Sequence, residues 1–291
     1  MPRNDISQLS LEQKVSLLSG RDFWSTRPLE DHGVPSVVLT DGPHGVRRQA
    51  GEFDHIGLSA SVPATCFPPA VAVGSSWDPD VAAAVGAAIG REAQALGVHL
   101  VLGPGVNIKR SPLCGRNFEY YSEDPLLSGV LGAAHVRGQQ GEGVGSSVKH
   151  FAANNQETDR MRVSADVDER TLREIYLPAF ERVVTEAQPA TVMCAYNRVN
   201  GVYASQHGWL LTDVLREEWG FAGAVVSDWA RSTTGSPPCG PAWTCRCPPT
   251  TAQATGSSST PCGPGSWTRP SGTPPGSTTP CPRSGTSSTG T

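Results

Sequence analysis

Several short apolar runs in the sequence end in polar side chains that could do chemistry. The last of them, Gly223-Ala-Val-Val-Ser227, is followed directly by Asp228 and Trp229. A short apolar strand that ends in a carboxylate is how a β/α barrel presents an acidic group at its C-terminal face. Asp228 is therefore the first candidate for a catalytic residue.

Four earlier runs end in comparable side chains. In chain order they deliver Asp41 with Arg47, Arg116 on the loop 116–119, Lys149 with His150, and Tyr196 with Asn197. Each group alone is typical of a turn, a helix cap or a solvated surface. Because the groups recur at the same end of successive predicted strands, together they indicate one shared site. The acidic residues of the segment 157–166 are instead interpreted as capping or solvated charges: Glu157, Asp159 and Asp166.

The side chains of this predicted site have the chemistry that a sugar requires. Sugar hydroxyls bind acceptors such as the Asp41 carboxylate, and they bind fixed donors, here Arg116, Lys149 and His150. A sugar ring also needs an aromatic wall, which Trp229 could supply. Nearby cations favour the ionised form of Asp228. An ionised carboxylate below an anomeric carbon is the nucleophile of a retaining glycosidase.

Alternating strand and helix signals predict how these side chains are brought together. A capping box at Ser10-Leu-Glu-Gln13 begins the first helix. Further helices are predicted at 78–96, 125–140, 168–187 and 209–218, and strands at 36–40, 99–102, 146–150, 190–195 and 223–227. Repeated β-α order predicts an α/β fold with a parallel sheet. The number of β-α units favours a (β/α)8 TIM-like barrel, incomplete at its C-terminal end, over an open doubly wound sheet. No Gly-x-Gly-x-x-Gly follows the first strand, which argues against a dinucleotide-binding fold.

The composition changes abruptly after Trp229. Residues 1–229 carry a net charge of -8 and mix apolar, charged and glycine residues as a globular enzyme does. Residues 230–291 contain no Asp, Glu, Lys, Leu, Ile, Val, Phe, Tyr or Met, and they hold 12 of the 25 prolines. Such a segment has too little apolar surface to offset its ordering entropy. We therefore predict a partial catalytic barrel domain at 1–229 and a low-complexity, disordered tail at 230–291.

The tail is interpreted as the product of a shifted reading frame. Its residues are those that GC-rich DNA encodes when it is read out of register. Residues 230–248 can be back-translated with mostly GC-rich codons. If one nucleotide is then added in front, the shifted frame can encode a peptide with helical apolar spacing and balanced charge. A natural Ser/Thr/Pro/Gly-rich linker is the alternative. DNA sequencing around codon 229 distinguishes the two, and an intact frame with tail peptides detected in the protein would contradict the shift.

Composition and motifs argue against several classes of protein. The mildly acidic body gives no reason to expect nucleic acid, and no stretch approaches the roughly 18 apolar residues of a membrane span. The first 25 residues lack an apolar segment behind a basic start, so we expect no signal peptide and a cytoplasmic protein.

The thiols of Cys66, Cys114 and Cys194 are interpreted as unpaired. A metal-dependent or nucleotide-using barrel has little support, because no His-Glu-x-x-His or phosphate loop indicates a metal or a cofactor. The oligomeric state is left open.

In their order along the chain, these motifs resemble those of glycoside hydrolase family 3, the β-glucosidase-like enzymes. The resemblance runs from about Leu9 to Trp229. It rests on Asp41-Gly-Pro-His-Gly-Val-Arg47, Gly103-Pro-Gly-Val-Asn-Ile-Lys-Arg110, Gly115-Arg-Asn-Phe-Glu-Tyr-Tyr-Ser-Glu-Asp-Pro125, Lys149-His-Phe151, Glu169-Arg-Thr-Leu-Arg-Glu-Ile-Tyr-Leu177, Met193-Cys-Ala-Tyr-Asn-Arg-Val-Asn-Gly201 and Val226-Ser-Asp-Trp229.

The resemblance implies a retaining glycoside hydrolase of β-glucosidase type. Its substrate would be a β-glucoside or oligosaccharide from which terminal non-reducing β-D-glucosyl residues are removed. Asp228 would be the nucleophile. The subsite for the non-reducing sugar would be lined by Asp41, Arg47, Arg116, Lys149, His150, Arg160 and Tyr196, with Met193 and Trp229 as apolar walls.

Two departures from the family pattern bear on activity. One branch supplies its acid/base from a Lys-His-Phe-Pro-Gly-His-Gly loop, whereas this chain has Lys149-His-Phe-Ala-Ala-Asn-Asn-Gln156. In the β-glucosidase branch the acid/base is a Glu on a second α/β domain, which has no counterpart in this sequence. Loss of general acid assistance typically costs ~10²- to 10⁴-fold in rate. We therefore expect impaired activity, and the alternative is a non-catalytic sugar-binding remnant or pseudogene product.

Overall fold

The computed structural model describes residues 6–49, 60–229 and 243–244. All of these belong to one compact unit that spans Met1–Thr250. Apart from the backbone of 243–244, the tail 230–291 falls outside the described residues. The domain division at 229, the disorder of the tail and the shifted frame therefore stay predictions.

The helices confirm most of the predicted segments. They are α1 (Leu11–Ser16), α2 (Ala70–Gly74), α3 (Pro79–Ala95), α4 (Pro125–Gly141), α5 (Glu169–Thr171) and α6 (Pro178–Ala187), together with a more widely wound helix at Trp209–Glu218 that coincides with the predicted segment 209–218. The Ser10 capping box is present at the start of α1. Aspartate caps followed by proline begin the two long helices, with Asp78 before α3 and Asp124 before α4. Such caps satisfy amide donors that the first helical turn leaves free.

The single helix predicted over 168–187 is wrong. The segment consists of α5, a wider turn at Leu172–Tyr176, and α6. Pro178 causes the break, because it has no amide hydrogen and cannot continue the helical hydrogen bonds. In the wide turn the amide of Leu177 donates to the carbonyl of Leu172, five residues earlier. The amphipathic pattern continues on both sides of the proline, which is why the sequence indicated one helix.

A parallel sheet forms the centre of the molecule. Its strands are β1 (Leu39–Asp41), β2 (Leu100–Leu102), β3 (Gly145–Phe151), β5 (Thr191–Cys194) and β8 (Ala224–Val226), with β9 (Trp243–Thr244) added antiparallel to β8. The spatial order β1-β2-β3-β5-β8-β9 follows the chain. A small second sheet contains β4 (Ser164–Ala165), β6 (Arg198–Val199) and β7 (Val202–Tyr203). The predicted α/β fold of TIM-like type is confirmed, and within the described residues the ring of strands is not closed.

Strand residues alternate between two apolar clusters, as the period of a strand requires. Leu100 and Leu102 of β2 pack with Trp24, Met193 and other side chains on one face. Val101 between them packs with side chains of α3 on the other face. Leu100 and Leu102 therefore lie beneath the carboxyl ends of the strands, and Val101 lies under the outer helices.

The outer helices pack closely on one another through glycines. A Cβ atom on Gly86 of α3 would lie 2.3 Å from the carbonyl oxygen of His135 in α4. A Cβ on Gly138 of α4 would lie 2.1 Å from the carbonyl oxygen of Ala83 in α3. Only glycine permits this backbone approach, because real Cβ contacts are far longer.

Over the residues that the structure describes, no helix is both long and apolar enough to cross a membrane. Within the described ranges, Cys66, Cys114 and Cys194 form no disulfide with one another, in agreement with their interpretation as unpaired thiols. The cytoplasmic location stays a prediction.

Candidate active site

The carboxyl ends of the parallel strands open into a cavity of about 530 Å³. The cavity is lined by all ten residues predicted for the site, namely Asp41, Arg47, Arg116, Lys149, His150, Arg160, Met193, Tyr196, Asp228 and Trp229. They come from β1, β3 and β5, from the segments that follow β5 and β8, and from three loops that carry Arg47, Arg116 and Arg160. The structure thus brings the predicted set together, while the role of each residue stays a prediction.

Asp41 lies between two cations at one side of the cavity. Its Oδ1 accepts a hydrogen bond from Lys149 Nζ at 3.2 Å, and its Oδ2 lies 3.6 Å from Arg47 Nη2. Burial would raise the pKa of Asp41, yet Lys149 and Arg47 together hold that pKa below its usual value. The result is an ionised acceptor that is fixed at the end of β1 and partly exposed to the cavity.

His150 is held as a neutral ring. Its Nε2 lies 3.0 Å from Arg116 Nη2, and its Nδ1 lies 3.2 Å from the Tyr120 hydroxyl. Because a guanidinium can only donate, Nε2 must accept and Nδ1 must carry the proton. Burial, together with the Arg116 and Lys149 charges, keeps the pKa of His150 well below its usual value. The Asn107 side chain bonds both backbone groups of His150, at 2.8 and 2.9 Å, and fixes its position.

Two arginines are held by carboxylates beside the His150 ring. Arg116 pairs with Glu119, and Arg160 Nη1 lies 3.0 Å from Glu157 Oε2. The interpretation of Glu157 as a capping or solvated charge is therefore wrong. Glu157 and Arg160 are only three residues apart, so their spacing was an available signal, whereas the 4.0 Å approach of Glu157 to Arg116 depends on how the loops 116–119 and 157–160 fold onto each other. The exposed Asp159–Arg162 pair and the Ser164–Asp166 hydrogen bond are local contacts of the kind that was expected.

Asp228 is buried at the floor of the cavity. Its Oδ1 accepts from the backbone amide of Trp229 at 2.8 Å. Burial raises the pKa of Asp228, and the Trp229 amide, Arg116, Lys149 and Tyr196 only partly oppose that rise. The sequence indicated cations near Asp228 but not its burial, so the expected direction of the Asp228 pKa shift was wrong. The other carboxylates that line the cavity, Asp41 and Glu119, are in ion pairs; Asp228 forms none within 4.0 Å among the described residues.

Aromatic rings form one wall of the cavity. The Trp24 and Trp229 ring centroids lie 5.1 Å apart, and Trp229 Nε1 donates to the backbone carbonyl of Phe23 at 3.0 Å. The Tyr196 hydroxyl donates to the backbone carbonyl of Trp229 at 2.7 Å. These contacts fix the Trp229 ring beside Asp228, where it can pack against a sugar ring.

Six further side chains line the cavity and were not predicted for it: Trp24, Pro43, His44, Leu102, Phe118 and Glu119. His44, Phe118 and Glu119 lie inside motifs that the sequence analysis singled out, so their place in those motifs was an available signal. Trp24 precedes the first strand and lies in no such motif. It reaches the cavity because the segment before β1 folds over the strand ends, and no local pattern indicates that.

Comparison with known proteins identifies the family. Residues 27–238 match the model of the glycosyl hydrolase family 3 N terminal domain. The chain belongs to glycoside hydrolase family 3. The resemblance seen in the motifs is thereby confirmed, and so is the α/β fold that it implies.

Family 3 relatives with curated names are similar over most of the described residues. Thermostable beta-glucosidase B of Acetivibrio thermocellus is 57% identical over 224 residues, covering 77% of this chain and 30% of the relative. An exo-alpha-(1->6)-L-arabinopyranosidase of Bifidobacterium longum is 57% identical over 228 residues with the same coverage. The chain therefore spans about 30% of the length of these relatives.

Solved family 3 structures show the same fold. The β-glucosidase of Bifidobacterium adolescentis matches with a TM-score of 0.72 and 55% identity, covering 77% of this chain and 32% of that one. Beta-glucosidase 3B of Thermotoga neapolitana, solved in complex with glucose, matches with a TM-score of 0.71 and 47% identity, covering 77% and 33%. In the part of the chain that the structure describes, no three His, Cys, Asp or Glu side chains are grouped to hold a metal ion.

Proposed function

We propose that the barrel is the nucleophile-bearing part of a retaining glycoside hydrolase of β-glucosidase type. The substrate would be a β-glucoside or oligosaccharide, attacked at its terminal non-reducing β-D-glucosyl residue. The observation that carries the proposal is Asp228, which among the described residues is the cavity carboxylate without an ion pair. The curated family 3 relatives support it, since one is named a thermostable beta-glucosidase.

In this proposal Asp228 attacks the anomeric carbon and the aglycone leaves with the bonding electrons. The covalent glycosyl-enzyme that results is then hydrolysed by water. Asp41 accepts hydrogen bonds from sugar hydroxyls, and the guanidinium and ammonium groups around it donate to them. The rings of Trp229 and Trp24 and the Met193 side chain exclude water from the sugar face.

A retaining mechanism also needs a protonated group that assists the leaving aglycone. Asp41 is a poor candidate, because its cationic neighbours favour the ionised form, and Glu119 is engaged by the Arg116 guanidinium. We propose that the acid comes from a part of the family 3 enzyme outside the described residues. The chain as given should then react best with substrates whose aglycone leaves without a proton.

The test uses 2,4-dinitrophenyl 2-deoxy-2-fluoro-β-D-glucoside. Its dinitrophenolate leaves without acid assistance, and the fluorine slows hydrolysis of the glycosyl-enzyme, so the label accumulates. We expect one fluoroglucosyl group per chain, located on Asp228 by peptide mass spectrometry. Asp228→Asn should remove the label, whereas the exposed control Asp80→Asn should keep it. The α-L-arabinopyranosyl analogue is tested in parallel, because a relative carries that activity in its name.

The outcomes separate the candidate functions. A label on any residue other than Asp228 would contradict the nucleophile assignment. Glucose binding by calorimetry without labelling would support the alternative, a non-catalytic sugar-binding remnant. A chain that neither binds glucose nor takes the label would contradict both.

A further inference from the structure

Glu157 lies beside the active-site cavity and joins two of its arginines. Its Oε2 is 3.0 Å from Arg160 Nη1, and its Oε1 is 4.0 Å from Arg116 Nε. Oε1 is buried and accepts no hydrogen bond in the part of the chain that is described. Only 25% of the Glu157 side chain is exposed, and Glu157 itself does not line the cavity. A half-buried carboxylate between two arginines is therefore placed to act on them rather than on a ligand.

The two arginines depend on Glu157 to different degrees. Arg116 has a second carboxylate partner, Glu119, and contacts the His150 ring as well. Arg160 forms no other ion pair within 4.0 Å among the described residues, and its guanidinium carbon lies 4.9 Å from the centroid of the Tyr196 ring. Neutralising Glu157 should therefore release Arg160 much more than Arg116.

Tyr196 connects this pair to the nucleophile. Its hydroxyl donates to the Trp229 carbonyl at 2.7 Å, and the Trp229 amide donates to Asp228 at 2.8 Å. The contacts thus run without a gap from Glu157 through Arg160 and Tyr196 to Asp228. A cation fixed against a ring face also adds electrostatic attraction to that packing.

We propose that Glu157 is a positioning residue for the sugar subsite. It holds the Arg160 guanidinium between its own carboxylate and the Tyr196 ring, so that the remaining N–H donors of Arg160 face the sugar. A long side chain that is fixed before binding loses less conformational entropy when the ligand arrives. This role rests on the proposed function, because it takes Arg160 as a residue that binds the sugar.

The experiment compares Glu157→Gln with a matched control in the same segment. Asp159 pairs with Arg162 at the same spacing of three residues, but 60% and 78% of these side chains are exposed. Labelling by 2,4-dinitrophenyl 2-deoxy-2-fluoro-β-D-glucoside gives KI and kinact separately, and calorimetry gives the Kd for glucose. In Glu157→Gln we expect KI and Kd to rise ~10-fold with kinact within ~2-fold, because Arg160 is no longer fixed before the sugar binds and its ordering then costs binding energy. Asp159→Asn should leave all three unchanged.

A double-mutant cycle tests whether Glu157 acts through Arg160. If it does, Glu157→Gln should raise KI much less when Arg160→Gln is already present, since the two effects are not additive for residues in contact. Equal effects of Glu157→Gln in both backgrounds would overturn the proposal. Glu157→Asp, which keeps the charge but shortens its reach, replaces Glu157→Gln if that variant does not fold, and it should also raise KI.

The failure of this inference is distinguishable from the failure of the proposed function. If the unaltered chain is labelled and Glu157→Gln matches it in KI and Kd, the positioning role is overturned and the function stands. If kinact falls while KI is unchanged, Glu157 acts on the chemistry and the positioning role is again overturned. If the unaltered chain neither binds glucose nor takes the label, both proposals are overturned.

Discussion

At the scale of single residues, the cavity is organised by the way in which its charges are paired. Asp41 is stabilised as an anion by Lys149 and Arg47, whereas Asp228 is buried and has no ion pair among the described residues. The two aspartates consequently have pKa shifts of opposite sign. Environments that separate the pKa values of two carboxyl groups are typical of sites in which the two groups have different roles.

The opposite shifts predict that binding and reaction are lost at different pH values. Labelling requires the Asp228 anion, and its raised pKa means that labelling should decline at a pH above the unperturbed aspartate value of about 3.9. Glucose binding requires the Asp41 anion, and its lowered pKa means that binding should persist to below about 3.9. The measurements are kinact and the glucose Kd as functions of pH. Loss of both at the same pH would contradict the assignment.

Lys149 provides a second check on Asp41. Replacing Lys149 with methionine removes the cation that most strongly lowers the pKa of Asp41, while burial still raises that pKa. In Lys149→Met the pH at which glucose binding is lost should therefore move upward, and glucose affinity at neutral pH should fall about tenfold or more. Calorimetric titration at several pH values measures both effects. An unchanged pH midpoint would mean that Lys149 does not control the ionisation of Asp41.

At the scale of elements, the site depends on helices that hold the strands in place. The helix α4 packs on α3 and α6, and its own chain continues into β3, which carries Lys149 and His150. The α3–α4 contact is close because Gly86 and Gly138 have no side chains. Added volume at this contact should therefore strain the frame of the site without touching the site itself.

Gly138→Ala tests the closeness of this packing. A Cβ at Gly138 would lie 2.1 Å from the Ala83 carbonyl, whereas a Cβ at Gly141 in the same helix would meet nothing within 4 Å. Gly138→Ala should lower the free energy of unfolding by ~1–3 kcal/mol through overpacking. Gly141→Ala should leave it unchanged or raise it by up to about 1 kcal/mol, because alanine favours the helix. Urea unfolding measures both, and equal stabilities of the two variants would contradict the packing argument.

At the scale of the whole molecule, the chain corresponds to a part of larger relatives. The alignment with the Acetivibrio thermocellus β-glucosidase includes 77% of this chain but only 30% of that relative. The described residues carry the proposed nucleophile and sugar subsite, and the proposed acid lies outside them. The shifted frame predicted for 230–291 concerns this same boundary, and DNA sequencing around codon 229 tests it.

The division of roles predicts a steep dependence on the leaving group. For a series of aryl β-D-glucosides, the rate with this chain should fall sharply as the pKa of the phenol rises, because no acid offsets the charge on the leaving oxygen. Dinitrophenyl glucoside should be cleaved, and unactivated glucosides should react ~10²- to 10⁴-fold more slowly than expected with acid assistance. Initial rates across the series measure the slope. A flat dependence would show that the chain supplies its own acid.

Local patterns in the sequence were enough to identify the family, the order of strands and helices, and the ten residues of the predicted site. This was possible because strand periodicity, helix caps and the polar residues that follow strands are local signals. The tertiary structure decided what those signals do not contain. The approach of Glu157 to Arg116, the placement of Trp24 in the cavity wall and the raised pKa of Asp228 all depend on contacts or burial that the chain acquires on folding. Burial and long-range pairing are properties of the packed molecule, and no short segment encodes them alone.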